Sequence, residues 1–165
     1  MTGIVKAAES FRRVILSIAG KLSWLPPTLA RITVGWLFLQ TGWGKLNHLP
    51  DIVAYFKELG IPMPEFQAPL AASAEFVCGA LILVGLFTRL ACVPLIVTMI
   101  VAIVTARTSE YEGVASLFGF VEYLYIVLFV WIGVAGPGPL SLDRLLTGRI
   151  LRLEPRGAYV PSAAR

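Results

Sequence analysis

The chain has 165 residues, of which 57% are hydrophobic and 15% charged, and its mean hydropathy is +0.78. A soluble domain of this length is nearer to half apolar and about a quarter charged, so the surplus excludes a single soluble core and indicates a membrane protein of one domain, residues 1–165. The net charge of +4 is typical of loops beside an anionic cytoplasmic leaflet, and we expect no nucleic-acid partner.

Residues 4–22 are predicted to form an amphipathic helix. Its apolar residues recur every three or four positions, at Ile4, Ala8, Phe11, Ile15, Ile18 and Leu22. Lys6, Arg13 and Ser17 occupy another face, which is typical of a helix lying on the inner leaflet. The alternative is a cleaved signal peptide with VILSIAG as its apolar core, but that core is short and its charged lead is long.

Four segments are predicted to cross the membrane, about residues 28–46, 69–87, 89–106 and 114–135. Each is close to the roughly 20 residues that span a hydrocarbon layer of about 30 Å, and helix is expected because lipid offers the backbone no hydrogen-bond partners. In the tail, about residues 137–165, Ser141 is expected to cap a short basic helix. The predicted fold class is therefore all-α, an integral membrane four-helix bundle with amphipathic interfacial segments at both ends.

The distribution of Lys and Arg predicts the orientation. With the N-terminus in the cytoplasm, eleven of the 14 basic residues lie on the cytoplasmic side, and only Lys45, Lys57 and Arg107 lie outside. We therefore expect a multi-pass protein of a bacterial or archaeal plasma (inner) membrane, with its N- and C-termini cytoplasmic and the lipid bilayer as its surroundings.

Polar residues gather near the outer ends of the predicted spans. Glu75 and Glu122 lie about six and eight residues into the second and fourth spans, roughly 9 and 12 Å deep at the helical rise. A charge at that depth is costly unless it is paired or hydrated. Lys45 and Arg107 end the first and third spans on the same side and are the candidate partners. The predicted pocket also includes three uncharged or weakly basic side chains, Gln40, His48 and Tyr123.

Glu75 lies on a stripe with Ala71 and Gly79 at four-residue spacing, which favours close helix approach, so it is expected to face a neighbouring helix. Two interpretations stay open: a pocket that binds a ligand or passes a proton, or an ion pair that only sets the helix register. For His48 the simpler alternative is an exposed interfacial position. Cys78 and Cys92 are expected to be packing residues, and no Cys or His cluster has the spacing of a metal site.

Two further arginines, Arg31 and Arg89, lie in the inner half of the predicted bundle. Long basic side chains near helix ends commonly extend towards the membrane surface. Both are therefore expected to reach lipid head groups.

Four stretches, in this order, resemble the DoxX family. They are RITVGWLFLQTGWGKL, AEFVCGALILVGLFTRLA, VEYLYIVLFV and GPGPLSLDRLL, and the resemblance they carry extends from about residue 30 to residue 146. The resemblance implies a four-helix integral membrane protein. Family members include subunits of thiosulfate:quinone oxidoreductase and proteins tied to membrane-associated thiol and oxidative-stress systems. The family's polar positions would map onto Arg31, Lys45, Glu75 and Glu122. Many members carry a His where this chain has Arg107, so a fixed cation replaces a titratable group.

The resulting functional hypothesis is a membrane subunit of a quinone- or thiol/sulfur-linked oxidoreductase system, with an outward-facing polar pocket. A quinone head group would suit the mixture of donors and carboxylates, and no covalently bound cofactor is expected. No haem or iron–sulfur ligand set is evident, so the chain would need a partner protein of a redox complex and would not be an enzyme alone. The alternative is a non-enzymatic, transporter-like or assembly subunit with a structural charge cluster. A homo-oligomer stays open.

The predicted orientation can be tested by cysteine labelling in intact cells. Lys57→Cys should react with a membrane-impermeant maleimide, because the charge distribution places Lys57 outside. Arg12→Cys and Arg149→Cys should react only after the cells are lysed. Labelling of Arg149→Cys in intact cells, with Lys57→Cys protected, would reverse the topology.

Overall fold

The computed structural model describes residues 2–136, 138 and 140–144, for residues 2–8 the backbone alone. Every element in these residues is helical, as the predicted all-α class requires. Seven α-helices have both ends within these residues: α1 Thr2–Leu22, α2 Leu25–Asn47, α3 Leu49–Glu58, α4 Pro64–Val84, α5 Thr88–Ala106, α6 Val114–Gly119 and α7 Val121–Ala135. A 3-10 turn spans Thr108–Glu110, and residues 142–144 are also helical. The predicted tail beyond residue 144 lies outside the described residues.

Two helices of the described residues are long and apolar enough to cross a membrane. They are α4 and α5, with mean hydropathies of 1.6 and 2.2 over their most apolar windows, while α7 is a shorter apolar helix of 15 residues. The amphipathic helix predicted over residues 4–22 corresponds to α1. Residues 9–22 of α1 are exposed, including the apolar side chains of Phe11, Ile15 and Ile18, so this face is available to a bilayer surface.

The outer connection between the first two predicted spans is more helical than expected. It contains α3, and α4 begins at Pro64 rather than at Pro69. Pro69 therefore lies in the second turn of α4 and leaves the carbonyl of the exposed Glu65 without a helical donor. Pro64 occupies the first position of the helix, where a missing N–H costs little. Because the helix begins at Pro64 rather than at Pro69, Glu75 is its twelfth residue.

The fourth predicted span, residues 114–135, is divided at Phe120. Phe120 has extended backbone angles, with φ −75° and ψ 131°, and separates α6 from α7. Its side chain is buried, and the Arg107 guanidinium lies 5.8 Å from the centre of its ring. Glu122 consequently stands in the first turn of α7, not eight residues inside a helix. A carboxylate there is favoured by the N-terminal end of the helix dipole.

Helices α2 and α4 pack antiparallel with their backbones in direct contact. A Cβ added at Gly35 would lie 2.6 Å from the backbone N of Leu83, and one added at Gly79 would lie 2.5 Å from that of Leu39. At Gly42 an added Cβ would collide with the backbone of Phe76. Glycine is therefore required on both helices, and the small-residue stripe through Glu75 does face a neighbouring helix.

The core lies where α2 and α4 meet α5 and α7. Its fully buried large side chains include Ile82, Leu95, Phe129 and Ile132. Phe38 of α2 packs edge-on against Phe129, with ring centres 5.0 Å apart, and this contact joins the two helix pairs. Cys78 and Cys92 belong to the same buried cluster and are free thiols.

The segment after α7 folds back onto the turn between α4 and α5. The carboxylate of Asp143 accepts hydrogen bonds from the backbone N–H groups of Phe87, at 2.9 Å, and Thr88, at 3.4 Å. Its own N–H donates to the carbonyl of Gly85 at 3.0 Å. Asp143 thus caps α5 from a distant part of the chain, and it holds Phe87 in the left-handed conformation, with φ 48°, at the helix start.

Arg31 takes part in the same closure, contrary to the expectation that it reaches lipid head groups. It is 4% exposed, and its Nη2 donates to the carbonyl of Leu140 at 2.7 Å. Ser141, expected to cap a helix, accepts a hydrogen bond at its Oγ from the N–H of Arg144 at 3.3 Å. The buried guanidinium therefore attaches α2 to the returning segment, which no local pattern indicates because the partners are 109 residues apart.

The contact between α2 and α4 predicts opposite effects for two glycines of α2. Gly42→Ala should destabilise the protein by about 1–3 kcal/mol, because the new methyl group meets backbone that cannot move aside. Gly44→Ala is the control, since nothing lies within 4 Å of its added Cβ, and it should be neutral or stabilise the helix by up to about 1 kcal/mol. Unfolding in mild detergent measures both, and equal effects would contradict the contact.

Candidate functional site

The ion pair predicted between Lys45 and Glu75 is present and joins α2 to α4. Lys45 Nζ lies 2.6 Å from Glu75 Oε1. The Glu75 side chain is 3% exposed, whereas that of Lys45 is 35% exposed, so the carboxylate is enclosed while the ammonium remains accessible at the C-terminal end of α2. Gly42 contributes to this enclosure, because an added Cβ there would lie 2.9 Å from the carbonyl carbon of Glu75.

The second oxygen of Glu75 is unsatisfied. Oε2 is buried and has no hydrogen-bond partner within the described residues. Buried polar atoms in folded proteins nearly always have a partner, and leaving a charged one unpaired is expensive. Glu75 therefore has one oxygen held by an ammonium and one free to accept a hydrogen bond or a proton. A hydroxyl-bearing ligand or an exchangeable proton would satisfy it.

The other two predicted charges form a second pair between the end of α5 and the start of α7. Arg107 Nε lies 3.2 Å from Glu122 Oε1, and the Glu122 side chain is 15% exposed. Arg107 Nη1 also donates to both oxygens of Glu110, at 3.0 and 3.1 Å. Hydrogen bonds to Glu110 and Glu122 raise the pKa of Arg107, so the guanidinium stays charged. Glu122 Oε2 is a second buried oxygen that has no partner among the described residues.

The sequence places the four charges in one predicted pocket, but the structure does not link them into a single cluster. In the part of the chain that the structure describes, no hydrogen bond or ion pair connects Lys45 and Glu75 with Arg107 and Glu122. The first pair belongs to the α2–α4 contact and the second to the contact of α5 with α7. The division of the fourth span contributes to this, since Glu122 stands at a helix start beside Arg107.

The remaining predicted site residues lie apart from both pairs. His48 is exposed where α2 ends, and its Nδ1 is 2.9 Å from the carbonyl of Gly44, the position that the simpler alternative expected. Gln40 is exposed. The Tyr123 ring packs against Phe118, with centroids 5.3 Å apart. None of the three side chains makes a hydrogen bond to a charged group of either pair within the described residues, although the backbone N–H of His48 donates to the carbonyl of Lys45 at 3.2 Å.

Sequence reasoning missed Glu110. It is the second carboxylate on Arg107, three residues away in the chain. That spacing was the available signal, because residues three apart are neighbours on a helical turn. A metal site is not suggested by the carboxylates, since no three His, Cys, Asp or Glu side chains of the described residues come together as ligands.

Comparison with known proteins finds one family model and several membrane proteins. The model described as DoxX matches residues 27–108. An uncharacterized membrane protein of Mycobacterium tuberculosis is 36% identical over 75% of this chain and 84% of its own length. The inner membrane protein YqjF of Escherichia coli is 31% identical over 76% of this chain and 95% of its own length.

A third relative carries a provisional functional name. CatD of Bacillus subtilis, provisionally named an oxidoreductase, is 30% identical over 70% of this chain and 82% of its own length. No solved structure matches the chain. These relatives share 82–95% of their own lengths with 70–76% of this chain, so the likeness extends over most of it.

The separation of the two ion pairs predicts additive effects for two variants. Glu75→Gln and Glu122→Gln should each change the free energy of unfolding independently, and the double variant should equal their sum within about 0.5 kcal/mol, because the two acids share no partner. Unfolding of the three variants in the same detergent measures this. A coupling above about 1 kcal/mol would restore the single cluster.

Proposed function

Since the chain belongs to the DoxX family and is a membrane protein, we propose that it is the membrane subunit of a quinone- or thiol/sulfur-linked oxidoreductase system. Lys45 and Glu75 would bind a quinone head group from the outer end of α2 and α4. CatD supports the reaction class through its provisional name. The observation that carries the proposal is Glu75 Oε2, a buried carboxylate oxygen without a partner among the described residues.

The donors and acceptors of this pair suit both redox forms of a quinone. The Lys45 ammonium, 35% exposed, has protons free to donate to a quinone carbonyl. Glu75 Oε2 would accept the hydrogen bond of a quinol hydroxyl, because a carboxylate is only an acceptor when ionised. One end of the ligand would thus satisfy the unpaired oxygen, while its apolar tail would lie among the exposed side chains of the helices.

Glu75 is also placed to take a proton. A bound quinone supplies redox chemistry that couples the transfer of electrons to the transfer of protons. The chain's own part is to hold the head group against Lys45 and to accept a proton at Glu75 Oε2. The ionised carboxylate is the form that accepts a proton, and its other oxygen lies 2.6 Å from the Lys45 ammonium. When a bound quinol is oxidised, its two electrons would pass to a partner protein of a redox complex, one hydroxyl proton would pass to Glu75 and the other to water.

The same pair also supports a second candidate, a non-enzymatic transporter-like or assembly subunit. The observation that favours it is the position of Glu75 at the glycine contact, where α2 and α4 approach most closely. An ion pair there would set the register of the two helices beside the glycines that let their backbones approach. In this case the pair would stabilise the fold and bind nothing.

For the location, we propose the plasma membrane of the cell, with both termini cytoplasmic and the Lys45–Glu75 end outward. The relative from Escherichia coli is named an inner membrane protein, which supports the membrane. The excess of Lys and Arg at the opposite end supports the orientation.

Quinone retention tests the proposal directly. The full chain, purified in mild detergent, should carry extractable membrane quinone, and Glu75→Gln should lower the retained amount roughly tenfold by removing a charged acceptor. Glu65→Gln is the matched control, because Glu65 forms an exposed ion pair with Lys57 at 2.9 Å. Wild-type protein without quinone, or equal retention by both variants, would reject the quinone site.

A double-mutant cycle distinguishes the non-enzymatic candidate, in which the ion pair is structural, from the quinone-binding candidate. Lys45→Met should destabilise the protein by less than the roughly 3–5 kcal/mol of a fully buried broken pair, because Lys45 is partly exposed. Combined with Glu75→Gln, it should cost less than the sum of the single variants. Strong coupling together with an absence of quinone in the wild type would favour the structural subunit. Additive losses would show that the two side chains do not interact.

A further inference from the structure

A surface pocket lies at the end of the molecule opposite to the Lys45–Glu75 pair. It has a volume of about 320 Å³ and is lined by Phe87, Arg89, Leu90 and Asp143. We call it the turn pocket, because its residues come from the turn between α4 and α5, from the start of α5, and from the segment that returns after α7. None of these residues takes part in the proposed quinone site.

Arg89 is a cation in this pocket for which the described residues provide no partner. Its side chain is exposed and makes no hydrogen bond or ion pair with any residue that the structure describes. Its Nη2 lies beside Gly136, 3.6 Å from where a Cβ would stand, so the guanidinium sits between the start of α5 and the end of α7. A guanidinium presents a planar set of donors that matches phosphate oxygens in a bidentate manner.

Asp143 lines the same pocket, but its carboxylate already accepts hydrogen bonds from the backbone at the start of α5. Its two oxygens accept the N–H groups of Phe87 and Thr88, and its charge is attracted by the buried Arg31. The carboxylate is therefore balanced within the fold, and Arg89 supplies a positive charge that the described residues leave uncompensated. The pocket is suited to an anion rather than to a cation.

The remaining walls are apolar and face outward. Phe87 is 60% exposed and Leu90 is 69% exposed. Arg89 stands in the first turn of α5, one of the two helices long and apolar enough to cross the membrane, so the pocket lies at the level where hydrocarbon meets the aqueous phase. An anion bound here has exposed apolar side chains directly beside it.

We propose that the turn pocket binds the phosphate group of an anionic phospholipid. Arg89 holds the phosphate oxygens, and Phe87 and Leu90 contact the adjoining acyl chains. A free phosphate ion would use the guanidinium alone and would leave the apolar walls in contact with water. In the predicted topology this end faces the cytoplasmic leaflet, where anionic lipids concentrate. This lipid site does not depend on the proposed quinone chemistry.

The test is lipid retention by the full chain, measured by native mass spectrometry. Protein in detergent is equilibrated with equal amounts of phosphatidylglycerol and phosphatidylcholine. The wild type should keep one phosphatidylglycerol per chain in preference, and Arg89→Gln should weaken this binding about tenfold or more through the loss of charge-assisted hydrogen bonds. Arg89→Lys should show an intermediate loss, because lysine keeps the charge but not the bidentate geometry.

Control experiments distinguish a specific site from a general effect of positive charge, and a lipid phosphate from a soluble phosphate ion. Lys21→Gln removes an exposed cation from the end of α1 and should leave the bound phosphatidylglycerol in place. Leu90→Ser should weaken lipid binding while Arg89 is intact. Unchanged retention in Arg89→Gln, or an equal loss in Lys21→Gln, would overturn the site. Displacement of the lipid by millimolar inorganic phosphate would overturn the lipid assignment and indicate a site for soluble anions.

Discussion

The close approach of α2 and α4 is the constraint on which the rest of the structure depends. Gly35, Gly42 and Gly79 leave no room for a Cβ between the two backbones. This approach places the Glu75 carboxylate against α2, where Lys45 can reach it at 2.6 Å. In lipid, where apolar burial drives helices together only weakly, backbone contact and polar pairing must supply the association. The ion pair and the glycines are therefore two parts of one interface.

Different polar contacts stabilise the two ends of the packed helices, ion pairs at one end and hydrogen bonds to the backbone at the other. At one end, Lys45 and Arg107 neutralise acids on neighbouring elements, and each acid keeps a buried oxygen without a partner among the described residues. At the other end, Asp143 and Arg31 are tied to backbone groups from distant parts of the chain. The carboxylates of Glu75 and Glu122 each keep an oxygen free to accept a ligand, whereas the Asp143 carboxylate is used by the fold itself. This difference is why proton-accepting ligand chemistry is proposed at Glu75 and the binding of a lipid phosphate at Arg89.

Family membership and side-chain geometry carry different parts of the functional argument. The DoxX match and the named relatives establish the kind of protein, a helical membrane protein, over most of its length. They do not by themselves assign a ligand. The proposed ligand class rests on Glu75, where a partly exposed ammonium lies beside a carboxylate oxygen without a partner among the described residues, a combination that suits a group exchanging carbonyl and hydroxyl forms.

The sequence by itself determined the membrane class, the helical content, the family, and the pairing of Glu75 with Lys45. These follow from apolar composition, from spacing along single helices, and from the cost of an isolated charge in lipid. Only the tertiary structure decided that Arg107 and Glu122 form a separate pair, that the helix predicted over residues 114–135 breaks at Phe120, and that Arg31 is buried and bonded to the carbonyl of Leu140. The reason is that helical periodicity specifies a face but not its neighbour, and contacts between residues 109 apart leave no local pattern.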